Sequence, residues 1–310
     1  MISFISEVLV QGLAYGILAI AVTLTYNILD FADLTVDGSF PLGAVIAAMC
    51  LINKIPVPIA MLAAFIGGTI AGGLTGLLHV KLKVSGLLSG ILVMTGLYSI
   101  NLMVGNSRSN LPVFNEKTLF TIGDWVKTLD PSLQLWVTRL YPIMVVLILV
   151  VALKLIMDWF LSTKLGFLMR ITGDNPQLVI ALGEDTGRTK IIGLMLSNGI
   201  AALAGSVIMQ LFRFYDISMG SGTVVAGLAS VVLGITVFSW VKSYKLTTLA
   251  ILGSIVYRLS ISVALSLKLS PSYLKLMSVI LFITAIIINN GSLKNSLNKL
   301  TGGLKSAKTH

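Results

Sequence analysis

Long apolar runs, separated by short polar or charged stretches, make up most of the chain. The longer runs have the roughly twenty residues that a helix needs to cross about 30 Å of hydrocarbon, so each of them predicts a membrane span. The predicted spans lie at residues 8–28, 39–51, 57–79, 85–104, 139–158, 189–210, 221–240, 246–266 and 273–289. We therefore expect an all-α, polytopic transmembrane bundle of about eight to ten spans, formed by one transmembrane domain over residues 1–310.

The composition supports a lipid environment. Hydrophobic residues make up 56% of the chain and charged residues 11%, which leaves too little polar surface for a soluble globular protein. The formal net charge is +10, but the basic residues lie at the ends of apolar runs, so they favour a positive-inside signal over nucleic-acid binding. Cys50 is the only cysteine, and His79 and His310 have no ligand partners nearby in sequence, so we expect no disulfide and no metal site.

Basic residues predict which segments face the cytoplasm. They are concentrated at 81–83, 164–190, 242–245 and 294–308. The spans alternate in direction between these positions, which places 106–138 and 212–220 outside the cell and the tail 291–310 inside. For the segment 30–38 two alternatives remain, a connection between two spans or a break within the membrane.

Glycines recur at intervals of four residues in several predicted spans, for example at Gly68, Gly72 and Gly76. One face of such a helix lacks side chains, so a neighbouring helix can approach closely. Two glycine-interrupted segments, 85–97 and 221–235, resemble each other and run in opposite directions under the predicted topology. They are consistent with an inverted repeat whose broken or re-entrant helices line a substrate pathway, with chance similarity as an equal alternative. The pathway residues predicted from these segments are Ser85, Gly86, Ser89, Gly90, Ser221, Gly222 and Gly227.

Motifs for nucleotide binding or catalysis do not occur in the sequence. There is no G-x-x-x-x-G-K-[ST] run, no Ser/His/Asp set, no H-E-x-x-H and no C-x-x-C. We expect that the chain is not an enzyme, that it has no catalytic residues and binds no cofactor, and that it does not hydrolyse ATP by itself.

The predicted cytoplasmic loop 162–188 contains a short helix with a start signal and a stop signal. Asp174 or Asn175 can cap its free amide groups, Pro176 suits the first helical position, and Gly183 suits a left-handed stop. A helix of about eight residues is too short to be stable alone in water, so we expect it to pack against something else. An ordinary folded loop is the alternative.

The same loop carries a sequence motif. It reads Thr163-x-x-Gly166-x-x-x-Arg170-x-x-Gly173-x-Asn175-Pro176-x-x-x-x-Ala181-x-Gly183, and Gly199-Ile-Ala-Ala-Leu-Ala-Gly205 follows it. This motif resembles the signature of the branched-chain amino acid and ribose type of ABC importer permeases, in which the loop is a coupling helix that docks into a groove of the partner ATPase. The residues to which the resemblance gives a coupling role are Arg170, Gly173, Asp174, Asn175, Pro176, Ala181, Gly183 and Glu184. Ile171 and Glu184 depart from the usual family residues, and these departures concern the details of docking.

A second polar segment holds three carboxylates within eight residues, Asp30, Asp33 and Asp37. A charged side chain at the centre of a span costs about 2.5–3.5 kcal/mol, so at membrane depth these groups must face water, protein or a substrate. Gly38 and Pro41 predict a broken helix here. The run Asp33-Leu-Thr-Val-Asp-Gly-Ser-Phe40 resembles the subgroup of this family that is associated with tryptophan or tyrosine uptake. The residues expected around the polar groups of the solute, including an ammonium, are Asp33, Thr35, Asp37 and Ser39. Solvated acids in a cytoplasmic loop are the alternative.

Taken together, the residues and the resemblance favour the permease subunit of an ABC importer in the bacterial cytoplasmic membrane, moving a small polar solute, above all an aromatic amino acid. Two copies would form the pathway, each with a cytoplasmic ATPase, and a solute-binding lipoprotein would dock outside. The loop 106–138 would be its docking surface or a plain linker. The alternatives are an ABC permease for a nucleoside or sugar, an ion-coupled transporter with the three acids as proton relay, and a non-transporting scaffold.

Overall fold

The computed structural model describes residues 2–123, 126, 130–238, 244–266 and 273–289. Within these ranges the chain is helical apart from turns, loops and two short strands. In chain order the elements are α1 (Ile2–Val22), a π-helical segment (Thr23–Ile28), α2 (Val36–Ile52), α3 (Val57–Val80), α4 (Gly86–Val104), β1 (Asn110–Pro112), α5 (Pro131–Ser162), α6 (Lys164–Asp174), α7 (Pro176–Ala181), α8 (Thr186–Phe212), β2 (Phe214–Asp216), a 3-10 turn (Ile217–Gly220), α9 (Thr223–Val237), α10 (Leu246–Ser266) and α11 (Leu274–Asn289).

Seven helices in the described part of the chain are long and apolar enough to cross a membrane. The first is formed by α1 together with the π-helical segment, and the shorter apolar helix α2 follows it. The prediction of an all-α bundle with many spans is thereby confirmed. Helix α5 already begins at Pro131, so the last part of the predicted loop 106–138 is helical.

Helices α3 and α8 pack backbone to backbone. Gly68 and Gly72 face α8 so closely that a Cβ atom on either residue would collide with a backbone carbonyl of that helix. At Gly76, one turn further along, a Cβ atom would lie 2.9 Å from the Cα atom of Ile191. The close approach predicted from the glycine spacing is therefore confirmed, and side chains on this face of α3 would force the two helices apart.

One end of the bundle carries the basic clusters at 81–83 and 164–190, and we call it the basic end. Here the Lys190 amino group lies 3.4 Å from Nε2 of His79, which joins the start of α8 to the end of α3. The Lys245 amino group lies 3.3 Å from the carboxylate of Asp158, which brings the segment before α10 to α5. Helices α6 and α7 connect the end of α5 to the start of α8 and lie at the same end. Lys242 and the tail 291–310 are outside the described residues.

The opposite end carries a small antiparallel sheet, and we call it the sheet end. Strands β1 and β2 pair in the register Asn110 with Asp216, Leu111 with Tyr215 and Pro112 with Phe214. Lys54, in the turn between α2 and α3, forms an ion pair of 2.6 Å with Glu116. Burial of Tyr215, with the Asp216 carboxylate beside it, raises the pKa of the tyrosine hydroxyl. The segments 106–138 and 212–220, which were both predicted to lie outside the cell, are thus in contact with each other.

Candidate functional site

The helical path of the chain is broken after the first span. The π-helical segment ends at Ile28, residues 29–35 form no helix, and α2 begins at Val36. The break overlaps the segment 30–38, for which a break within the membrane was one of the two predicted alternatives, but Gly38 and Pro41, the predicted signals for it, lie inside α2. A proline inside a helix removes one backbone hydrogen bond and crowds the carbonyl four residues earlier, and the burial of most of α2 in the bundle offsets this cost. The break itself remains, a few residues earlier in the chain.

A buried network of hydrogen bonds centred on Asn198 holds the non-helical segment in place. The Asn198 amide nitrogen donates to the Asp33 carboxylate at 2.7 Å, and the Ser39 hydroxyl donates to the Asn198 amide oxygen at 2.7 Å. The backbone amide of Thr35 donates to the other carboxylate oxygen of Asp33 at 2.9 Å. The hydroxyls of Thr35 and Thr75 share a hydrogen bond of 2.6 Å. All five side chains are completely buried, so this network ties α2 to α3 and α8 in the interior of the bundle.

Asp37 caps the amino end of helix α9. One oxygen of its carboxylate accepts hydrogen bonds from the Thr223 hydroxyl at 2.7 Å and from the Val224 amide at 2.8 Å, and the other accepts one from the Gly222 amide at 3.1 Å. A helix leaves such amide groups unpaired at its amino end, where a negative charge is also favoured by the helix dipole. The amino ends of α2 and α9 therefore meet through one carboxylate.

The two glycine-interrupted segments flank this meeting point. Gly86 of α4 packs against the ring of Phe31, and Gly90 packs against the backbone of the same non-helical segment. Gly227 of α9 packs against Val22 at the end of α1. Small residues thus let α4 and α9 approach the break from two sides.

The predicted pathway residues fall into three groups. Those that are completely buried and hydrogen-bonded within the protein are Asp33, Thr35, Ser39 and Ser89. Those that line a cavity are Asp37, Ser221 and Gly222. Those that remain are the packing glycines Gly86, Gly90 and Gly227 and the exposed Ser85. A role of these residues in transport stays a prediction.

Two neighbouring cavities adjoin the contact between α2 and α9, and Ser221 is in the wall of both. The larger has a volume of about 530 Å³ and the smaller about 220 Å³. Polar residues of this region that the sequence analysis missed are Asn101, Asn198 and Arg258. Each is a polar side chain inside an apolar helix, and this was the sequence signal that could have identified it.

At the basic end, the predicted coupling loop forms two helices. Helix α7 is 6 residues long and begins at Pro176, and the Asn175 side chain caps it by accepting a hydrogen bond of 3.3 Å from the Leu178 amide. Gly183 follows the helix with a φ angle of +74°, in the left-handed region that favours glycine. The start and stop signals are therefore confirmed, and Asn175 rather than Asp174 is the cap. Helix α6 was not predicted.

Helix α7 exposes an apolar surface. Val179 is buried against the protein, whereas Leu178, Ile180 and Leu182 are 46%, 63% and 60% exposed. Leu178 and Ile180 on the helix and Leu182 directly after it form an apolar patch suited to contact with another protein. We call these three residues the α7 patch.

Two predicted interfacial charges and Gly173 belong to the segments that precede and follow α7. Arg170 is exposed, and Glu184 forms an ion pair of 2.7 Å with Lys164. Gly173 of α6 packs against the backbone carbonyl of Ile28 so closely that a side chain would collide with it. Helix α6 therefore connects the α7 patch to the end of the π-helical segment, where the break in the chain begins.

Comparisons with known proteins agree with this architecture. The family described as "Branched-chain amino acid transport system / permease component" matches residues 4–286. The tyrosine transport system permease protein of Clostridioides difficile is 42% identical over 302 residues, which are 97% of this chain and 96% of the relative. An uncharacterized protein of Rickettsia prowazekii is 32% identical over 281 residues, which are 88% of this chain and 94% of the relative.

More distant similarities extend over less of the chain or are weaker. The autoinducer 2 import system permease protein LsrC of Salmonella paratyphi B is 31% identical over 233 residues, which are 74% of this chain and 61% of the relative. A solved structure, PsaBC from Streptococcus pneumoniae in complex with Fab, matches with a TM-score of 0.48 and 13% identity over 94% of this chain and 95% of that chain.

Proposed function

Because the chain belongs to the family of branched-chain amino acid transport system permease components, an ABC type of permease with many membrane spans, we propose that it is the transmembrane subunit of an ATP-driven importer. In this proposal the chain hydrolyses no ATP. A separate cytoplasmic ATPase binds the α7 patch and supplies the driving force for alternating access. A small polar solute then moves into the cell through the membrane part.

The α7 patch is the observation that carries the proposal. Its apolar side chains are exposed at the basic end, beyond the apolar spans that contact lipid. Through α6, the contact of Gly173 with Ile28 connects this patch to residues 29–35, and these are hydrogen-bonded to Asn198 in the interior. A displacement of α7 by a partner would therefore reach the junction of α2 and α9 through a chain of close contacts.

The arrangement in the membrane is a further part of the proposal. We place the basic end and the C-terminus in the bacterial cytoplasm, because basic residues are retained on that side. The sheet end then faces outward, where a solute-binding lipoprotein docks. Two copies of the chain form the pathway, each with one ATPase.

We further propose that the solute is an aromatic amino acid such as tyrosine or tryptophan. The relative with 42% identity is named as a tyrosine transport permease, and the run from Asp33 to Phe40 resembles the same subgroup. Identity of this extent over nearly the whole chain supports a related solute. Nucleosides and sugars are the competitors that a binding experiment has to separate.

The coupling proposal is tested by copurification of the chain with the ATPase encoded beside its gene. We expect a stable complex for the wild type, and we expect Ile180→Glu to weaken it at least about ten-fold, because a carboxylate in an apolar interface loses its hydration. Leu82→Glu is the matched control, since Leu82 is 68% exposed in the basic turn after α3 but lies outside the α7 patch. Complex formation and ATP turnover unchanged by Ile180→Glu would contradict the proposal.

The solute is tested on the cognate binding protein. We expect tyrosine or tryptophan to raise its thermal unfolding temperature, because a ligand that binds only the folded state stabilises it by mass action. Nucleosides and ribose are measured alongside. Stabilisation by either of these and not by aromatic amino acids would refute the substrate assignment while leaving the ATP-driven importer intact.

A further inference from the structure

Arg258 lies near the middle of helix α10, within an apolar span. A charged side chain at such depth is costly unless it faces water, a partner or a ligand. The centre of its guanidinium lies 4.1 Å from the centre of the Tyr15 ring, a cation–π contact that leaves the N–H donors available. Within the described ranges no carboxylate forms an ion pair with Arg258, and its buried Nε atom has no hydrogen-bond partner.

The guanidinium borders the smaller cavity, of about 220 Å³, at the amino end of α9. Other residues in its wall are Tyr15, Ser221, Gly222, Thr223 and Ser278. The positive end of the α9 dipole also points here, but the Asp37 carboxylate already accepts hydrogen bonds from the Gly222 and Val224 amides. Among the described residues that line this cavity, Arg258 is therefore a cation without a carboxylate as ion-pair partner.

Hydrogen-bond acceptors lie in the larger cavity next to it. This cavity, of about 530 Å³, contains Asp37 and Asn101 in its wall and shares Ser221 with the smaller one. The amide oxygen of Asn101 is buried and has no hydrogen-bond partner, while its amide nitrogen donates to the Gly38 carbonyl at 3.3 Å. One cavity thus has a cation with an unpaired Nε donor in its wall, and the wall of its neighbour contains an unpaired acceptor and a carboxylate.

A cation and a carboxylate in adjoining cavities are the kinds of group that would bind the two charges of an α-amino acid in its zwitterionic form. We propose that Arg258 binds the carboxylate of the translocated amino acid, and that the ammonium of the amino acid is directed towards Asn101 and Asp37. The inference rests on the proposed function and deepens it by naming the part of the membrane domain that recognises the amino acid group. Neither Arg258 nor Asn101 belongs to the coupling loop or to the Asn198 network.

The test measures binding of L-tyrosine to the purified permease–ATPase complex without binding protein. We expect Arg258→Gln to weaken binding by about ten- to a hundred-fold, because hydrogen bonds to charged groups are worth about 1.5–3 kcal/mol. Arg258→Lys keeps the charge but loses the planar guanidinium, so an intermediate loss is expected. Tyramine, which lacks the carboxylate, should bind the wild type and Arg258→Gln equally. Arg139→Gln in α5, outside both cavities, is the matched control and should bind tyrosine as the wild type does.

The outcomes separate this inference from the proposed function. If the wild type and Arg258→Gln bind tyrosine with equal affinity, only the inference is overturned. The same holds if the reconstituted importer transports tyrosine but the wild-type complex without binding protein does not bind it. Parallel losses for tyrosine and tyramine, or for Arg258→Gln and Arg139→Gln, overturn the assignment to the carboxylate. The proposed function is tested by reconstituting the wild-type importer with its ATPase and binding protein. If this importer takes up no solute when ATP is supplied, the proposed function is overturned, and the inference with it.

Discussion

At the scale of single residues, Asn198 provides hydrogen-bond partners for the buried polar groups next to the break in the chain. Its amide nitrogen donates to Asp33 and to the Leu194 carbonyl, and its amide oxygen accepts from Ser39. Only a side-chain amide combines two donors with an acceptor in one planar group. A carboxylate in its place would repel Asp33, and an aliphatic side chain would remove one hydrogen-bond partner each from Asp33 and Ser39.

We therefore predict that Asn198→Ala destabilises the protein strongly. The expected loss is about 2–4 kcal/mol, because a buried carboxylate and a buried hydroxyl each lose a partner. Thermal denaturation of the detergent-solubilised protein measures it. Asn53→Ala is the control, since the Asn53 side chain also donates to a carbonyl four residues earlier, at 2.8 Å, but on the exposed surface. Equal melting temperatures for the two variants would contradict a structural role of the network.

A double-mutant cycle shows whether the Asp33 charge is the reason for this loss. Asp33→Asn removes the charge and keeps the shape of the side chain. We expect the loss caused by Asn198→Ala to be smaller in the Asp33→Asn background, since an unpaired neutral amide costs less to bury than an unpaired carboxylate. Additive losses would show that the two side chains act independently.

At the scale of helices and strands, the sequence predicted what depends on local signals. Helix α7 could be placed because a cap, a proline and a glycine mark both of its ends within a few residues. Helix α6 was missed although its end signals are present, since the Thr163 side chain caps its start and Pro176 follows its end. Strands β1 and β2 are three residues each and lie about a hundred positions apart, so their pairing leaves no periodic pattern. Local patterns carry no information about contacts of this kind.

The meeting of α2 and α9 is an element-scale feature with a direct test. We predict that Asp37→Ala destabilises the first turn of α9 by about 0.5–2 kcal/mol, the usual value of a lost cap. Hydrogen exchange of the amides of residues 223–226 should become faster, whereas exchange in α3 should not change. Asp185→Ala is the matched control, because Asp185 caps α8 by accepting from the Gly187 amide at 2.8 Å and the Arg188 amide at 3.3 Å. Faster exchange in α9 with the control but not with Asp37→Ala would contradict the capping role.

At the scale of the whole molecule, the spans and the glycine contacts could be predicted, but most of the candidate site could not. The hydrogen bond between Asp33 and Asn198 joins residues 165 positions apart, and that between Asp37 and Val224 joins residues 187 apart. Such pairs depend on how the helices are arranged, which apolar periodicity does not specify. The sequence identified Asp33 and Asp37 as unusual because charge is costly at membrane depth, but it did not identify their partners.

Orientation in the membrane is the whole-molecule property on which the proposed function depends, because ATP is available only in the cytoplasm. Cys50 is the only cysteine, so Cys50→Ser gives a background in which single cysteines report one position each. We predict that a membrane-impermeant thiol reagent labels Arg108→Cys, exposed at the sheet end, in intact cells. Arg188→Cys, exposed at the basic end, should be labelled only after lysis. The reverse pattern would place the α7 patch outside the cell, where no ATPase could drive it.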